Sequence, residues 1–85
     1  MNYRVIFTKS AEKDLAEIPK SHYNNIVAHI AQLAANPRPP GVKKLKGYEN
    51  SYRIRIAAYR VLFEVHDDIV TILIIAIAHR KDVYD

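Results

Sequence analysis

The sequence predicts an α+β fold: an N-terminal strand, a two-helix antiparallel hairpin, then antiparallel strands forming a small sheet with the helices on one face. Three observations carry that prediction. Apolar residues recur at helical spacing from Ala11 to Ala34, apolar residues alternate by twos or run on between Tyr52 and Ala78, and Pro37, Pro39, Pro40 and Gly41 form the single break between the halves. With 85 residues there is room for one domain, residues 1–85, around one modest core. A composition of 49% hydrophobic and 26% charged residues is that of a globular chain and not of a disordered tail.

The elements follow in order. Tyr3 to Thr8 is rich in Val, Ile and aromatic residues and reads as a short first strand. Thr8 or Ser10 can cap the helix that follows, in which Ala11, Leu15 and Ile18 fall on one side and Glu12, Lys13, Asp14 and Glu17 on the other. Pro19 ends it. A second helix from about Lys20 to Ala35 places Tyr23, Ile26, Val27, Ile30, Leu33 and Ala34 on one stripe and stops near Asn36, before the prolines. Beyond them Tyr52–Ala57 alternates by twos, Tyr59–Val65 does so less cleanly, and Ile69–Ala78 is almost wholly apolar. That last run predicts a central strand covered on both faces.

The absence of cysteine excludes a disulfide framework, a thiol nucleophile and a thiolate metal site. Neither a secretory h-region nor a membrane span is present, so a cytoplasmic protein is expected. Thirteen Lys and Arg against nine Asp and Glu give a net charge of +4. The charge is concentrated: Arg38, Lys43, Lys44, Lys46, Arg53, Arg55 and Arg60 lie between Pro37 and Arg60, opposed there only by Glu49. An anionic partner is favoured.

If Ala57 and Ala58 form a two-residue turn, Ile56 faces Tyr59, Arg55 faces Arg60, Ile54 faces Val61 and Arg53 faces Leu62. The arginines then share one face, while Tyr52, Ile54, Ile56, Tyr59, Val61 and Phe63 form the other and pack on the helices. Directly opposed arginines repel, which points to an anion site; the bland reading is that their long side chains splay into water. Ala-Ala lacks the positive-φ preference of Asn-Gly, so turn chemistry leaves this register open. A similar choice of parity governs the C-terminal strand. A two-residue turn at Asp67 and Asp68 would put His79 on the arginine face, whereas a three-residue turn or a bulge would put Arg80 there. His22, His29 and His66 have no metal-ligand spacing. Tyr23, Tyr48, Tyr52 and Tyr59 read as packing residues with an exposed hydroxyl.

The segment NPRPPGVKKLKGYENSYRIRIAAYRVLFEV, followed by an apolar strand and a terminal HRKDVY, closely resembles the RelE family of toxins of toxin–antitoxin pairs. The likeness covers nearly the whole chain. It implies a toxin that enters the ribosomal A site and cleaves mRNA there, with no metal or other cofactor. It also implies a RelB-like antitoxin as protein partner, mostly acidic and partly disordered, folding against an apolar groove. Matched residue by residue, the family's catalytic positions fall on Arg53, Arg55, Arg60, Arg80 and Tyr84. The implied chemistry is attack of an RNA 2′-OH on the adjacent phosphate, leaving a 2′,3′-cyclic phosphate and a 5′-OH. Arg60 would stabilise the transition state, Arg80 would serve the leaving group, and Tyr84 would stack on a base. Lys43, Lys44 and Lys46 would meet phosphates of ribosomal RNA or mRNA.

This sequence departs from the best-known pattern, which has lysines where Arg53 and Arg55 stand. Arginine, whose guanidinium stays protonated throughout the physiological range, binds anions but hardly abstracts a proton. His79 is the alternative base. Two other functions share the fold class: a ParE-like toxin that inhibits DNA gyrase and cuts no RNA, and a catalytically degenerate module that only binds its antitoxin.

Overall fold

The structure, a computed structural model, describes residues 2–82. In chain order it comprises β1 (Arg4–Phe7), α1 (Lys9–Ala16), α2 (Lys20–Leu33), β2 (Lys43–Lys44), β3 (Ser51–Ile56), β4 (Tyr59–His66) and β5 (Thr71–His79). A 3₁₀ turn, Asp67–Ile69, joins β4 to β5, and a second, Arg80–Asp82, follows β5. The strands form one mixed sheet in the order β1-β5-β4-β3-β2, antiparallel except for the parallel pair β1 and β5. The predicted α+β arrangement is therefore present. The sequence had shown neither the parallel pairing nor β2, which at two residues is too short to display a period.

Thr8 is the N-cap of α1, its Oγ1 accepting the Ala11 N–H at 3.0 Å. The same hydroxyl donates to the Ile75 carbonyl at 2.9 Å, so the helix start is fixed to β5. α1 buries Ala11, α2 buries Ile26, Ile30 and Leu33, and the loop between them buries Ile18. Tyr23 and Val27, expected on the same stripe, lie at its edge and are exposed. These residues meet Ile54, Ile56, Tyr59, Val61, Phe63, Val65, Ile72, Ile74 and Ile77 in one core. Each fully buried Val, Leu or Ile contributes about 1.5–3 kcal/mol of apolar transfer.

The β3–β4 hairpin has the predicted register: Ile56 pairs with Tyr59, Arg55 with Arg60, Ile54 with Val61 and Arg53 with Leu62. The Ala57–Ala58 turn closes because Ala57 accepts a φ of +54°. Tertiary packing of the apolar face thus decides a register that the turn residues alone do not favour.

Two expectations for the last strand are corrected. It begins at Thr71, since Asp67–Ile69 is a 3₁₀ turn and Val70 closes it with a left-handed backbone at φ 50°, ψ 49°. Nor is it covered on both faces. Ile72, Ile74 and Ile77 are buried under the helices, whereas Leu73, Ile75 and Ala76 are only half-buried on a side that no helix covers. Its apolar run reflects a second, open face with Leu62 and Ile6 as neighbours, through the pairings of Leu62 with Ala76 and of Ile6 with Leu73.

β5 carries a bulge. Leu62 pairs with Ala76 and Phe63 with Ile74, leaving Ile75 as the extra residue. It lies where β1 ends, Phe7 being the last parallel partner, opposite Ile74. Past that point α1 supplies the missing partners, with Thr8 Oγ1 on the Ile75 carbonyl and Asp14 Oδ2 accepting the Ile77 N–H at 2.9 Å.

Candidate functional site

The uncovered face of the hairpin holds a cleft of about 240 Å³ lined by Gly41, Lys43, Arg53, Arg55 and Arg60. Three strands build it. The register places Arg55 directly opposite Arg60, and β2 sets Lys43 opposite Arg53. Gly41, with φ +93°, turns the chain from the proline loop into β2 in a conformation that other residues rarely adopt. Opposed cross-strand side chains have Cβ atoms about 4.5–5.5 Å apart, so four cations on one small face attract an anion. Arg55 is exposed and Arg53 half-buried, while Arg60 is buried, with 7% of its surface accessible.

That burial was not legible in the sequence, which puts Arg60 on the open face by parity. Neighbouring strands on both sides enclose its stem, because Arg60 lies between Arg55 of β3 and Ala78 of β5. Lys43, grouped in the sequence with Lys44 and Lys46 as a phosphate contact, lines the cleft itself. No period marked it, since Val42-Lys43-Lys44-Leu45-Lys46 does not alternate and β2 is two residues long.

The other predicted residues separate from this cluster. Lys44 and Lys46 line a neighbouring surface depression with Leu45, Gly47, Tyr48 and Glu49. Tyr48 is 65% exposed there, so its reading as a packing residue is corrected. Arg80 is exposed, begins the 3₁₀ turn after β5, and donates its backbone N–H to the Ala58 carbonyl at 2.7 Å, at the turn end of the arginine hairpin. Tyr84 lies outside the described residues.

The bulge decides which side His79 takes. Because Arg60 pairs with Ala78, His79 pairs with Tyr59 and faces the helices. Its ring meets Tyr59 edge-on with centroids 5.1 Å apart, and Tyr59 in turn contacts His22 at 5.7 Å. His79 is therefore turned away from the arginine cleft, and the alternative base offered by the sequence is on the wrong side of the sheet.

Arg38, counted in the basic cluster, is used structurally. Its guanidinium pairs with Asp67 at 2.7 Å, donates from Nε to the Tyr52 hydroxyl at 3.1 Å and lies over the Tyr52 ring. Tyr3 donates to the same carboxylate at 2.6 Å. Hydrogen bonds from Arg38 and then Tyr3 hold the Asp67 carboxyl below its ordinary range; the bond to Asp67 raises Tyr3. The proline loop is thereby tied to the β4–β5 connection. Among the described residues no three His, Asp or Glu side chains gather as a metal site, and no helix is long and apolar enough to cross a membrane.

The chain that folds a two-helix hairpin onto a five-stranded mixed sheet, with four cations on the open face, is matched by a protein-family model. That model, the ParE toxin of type II toxin–antitoxin system parDE, covers residues 5–84. The chain belongs to the RelE/ParE superfamily of type II toxin–antitoxin toxins. Within it the likeness is to RelE toxins. Toxin RelE3 of Methanocaldococcus jannaschii is 37% identical over 87 residues, spanning 96% of each chain. A chain of the archaeal RelE–RelB complex of Pyrococcus horikoshii superposes with a TM-score of 0.84 at 32% identity, covering 98% of this chain and all of that one. The isolated E. coli RelE toxin, at 22% identity and TM-score 0.80 over 91% of this chain and 83% of its own, shares the fold.

Proposed function

We propose that this toxin is a ribosome-dependent mRNA endoribonuclease acting in the cytoplasm, which cleaves in the A site without a metal and so stops translation. The observation that carries the reading is the cleft that gathers Lys43, Arg53, Arg55 and Arg60 on one face. A phosphodiester is the anion such a cleft fits, and guanidinium forks match phosphoryl oxygens two at a time.

In this reading the mRNA 2′-oxygen forms a bond to the adjacent phosphorus, the bond to the 5′-oxygen breaks, the 2′ proton passes to water and the 5′-oxygen takes one from water. Arg60, the most enclosed cation, is held rigidly where charge develops on the phosphoryl oxygens. Arg53, Arg55 and Lys43 hold the chain in line, Arg80 serves the 5′-oxygen and Tyr84 stacks on a base. Arginines remain protonated, so the cleft acts by position and charge. Lys44 and Lys46, on the adjoining loop, meet backbone phosphates. A RelB-like acidic antitoxin completes the system: it complements the cations and covers the apolar stripe of Ile6, Leu62, Leu73 and Ile75 on the open face.

The test is cleavage of mRNA on programmed ribosomes with an empty A site, beside naked mRNA. Cuts on the ribosome alone, ending in a cyclic phosphate, support the reading; intact mRNA in both overturns it. A ParE-like function is the second reading, favoured by the description of the family model that matches residues 5–84. Inhibition of gyrase supercoiling with intact mRNA would establish it. Inactivity in both assays would leave a module that only binds its antitoxin.

A further inference from the structure

We infer that His79 is a positioning residue for Arg80, acting through a hydrogen bond to the turn that carries it; the functional consequence rests on the endoribonuclease reading. At the end of β5, His79 Nδ1 accepts the backbone N–H of Lys81 at 3.2 Å. One residue earlier, the Arg80 N–H is held by the Ala58 carbonyl at 2.7 Å. The two bonds flank Arg80 and hold the peptide planes on either side of it, His79–Arg80 and Arg80–Lys81. Without the imidazole acceptor, the Lys81 N–H has no strand partner among the described residues to fix the 3₁₀ turn Arg80–Asp82 as it leaves the sheet.

The ring is itself held. Tyr59 contacts it edge-on, and Asp14, Glu17, Ile18, Ile77 and Ala78 share its cleft on the helix side. An acceptor from residue i to the N–H of residue i+2 is the geometry of an Asx turn, in which an Asn Oδ1 occupies the place that Nδ1 takes here. The bulge at Ile75 sends His79 to the helices, and Arg80 follows it into the 3₁₀ turn that leaves the sheet beside the Ala57–Ala58 turn of the arginine hairpin.

Acceptor and ring can be separated by substitution. His79→Asn keeps the acceptor and loses the ring; His79→Phe keeps an edge contact with Tyr59 and loses the acceptor. In ¹⁵N relaxation of the free toxin, the Lys81 backbone N–H should stay ordered in wild type and His79→Asn and become mobile in His79→Phe. In the ribosome assay, His79→Phe should lose kcat on the order of 10²-fold with KM little changed, since misplacing a reacting group by about an ångström costs that much. His79→Asn should stay near wild type, and adding His79→Phe to Arg80→Ala should cost nothing further. Equal Lys81 N–H order in the two His79 variants, or loss in His79→Asn with retention in His79→Phe, overturns the inference. The relaxation arm decides positioning even if wild type leaves mRNA intact, an outcome that overturns the nuclease reading instead.

Discussion

Arg60 combines two roles that a sequence shows only singly. Period two places it with Arg53 and Arg55 on the open face, and the register agrees. Period two does not show how much of it the flanking strands enclose, and Arg60 is nearly as buried as Ile54, which has 9% of its surface accessible. Its aliphatic stem packs while its head faces the cleft. Arg60→Ala should therefore lose cleavage and also stability, by about 1–3 kcal/mol. Arg60→Met, which keeps the packed length, should lose cleavage while melting close to wild type. Thermal unfolding of both variants beside the ribosome assay checks this, and equal melting temperatures for Ala and Met would show that the stem contributes nothing. The exposed Arg80 differs, and Arg80→Ala should leave the melting temperature unchanged. His79 shows the other limit of residue-scale reading. Its side of the sheet hangs on one extra residue in an apolar run where alternation carries no signal.

At the scale of elements, the hairpin was legible because its two faces differ so sharply. Sliding β4 by one residue would bury Arg60 and Leu62 positions under the helices and expose Val61 and Phe63, both essentially inaccessible now. β2 and the bulge were not legible, since each depends on where neighbouring elements stop. The turn between β3 and β4 shows what packing overrides. Ala57 sits at φ +54°, at the first central position of a two-residue turn, where a positive φ favours glycine. A left-handed backbone costs a residue with a Cβ roughly 1–2 kcal/mol, partly offset by the greater freedom of glycine in the unfolded chain. Ala57→Gly should raise stability by about 0.5–1 kcal/mol, read as a higher midpoint in urea at unchanged slope. A lower midpoint would mean that the Ala57 methyl makes a contact outweighing the backbone strain.

For the whole molecule, charge and layering matter together. The helices cover one face of the sheet, and the other carries cations toward the hairpin turn and half-buried Leu62, Leu73 and Ile75 beside them. The net charge of +4 gives long-range attraction to an anionic partner, and the cleft concentrates it at one place. Binding of a short single-stranded RNA should weaken with salt, with a slope of log K against log salt near −0.7 for each phosphate neutralised, or about −2 to −3 for the four cleft cations. Replacing Lys43 by Ala should reduce that slope by about one phosphate's worth. A slope indifferent to Lys43 would remove it from the binding surface. Charge clustering was legible from composition alone, but the open second face was not, because a continuous apolar run reads equally well as a strand buried on both sides.

The network of Arg38, Asp67, Tyr3 and Tyr52 has a consequence for how such toxins diversify. It clamps the chain just after the helices, and the β2–β3 pairing clamps it again at Lys43 and Lys44. Between and beyond these anchors, the surface of Lys44, Lys46, Tyr48 and Glu49 can change in sequence without disturbing the core, none of whose buried residues it contains. Substitutions there are separable from folding, so this short stretch is an exchangeable cassette carried on a scaffold that stays intact.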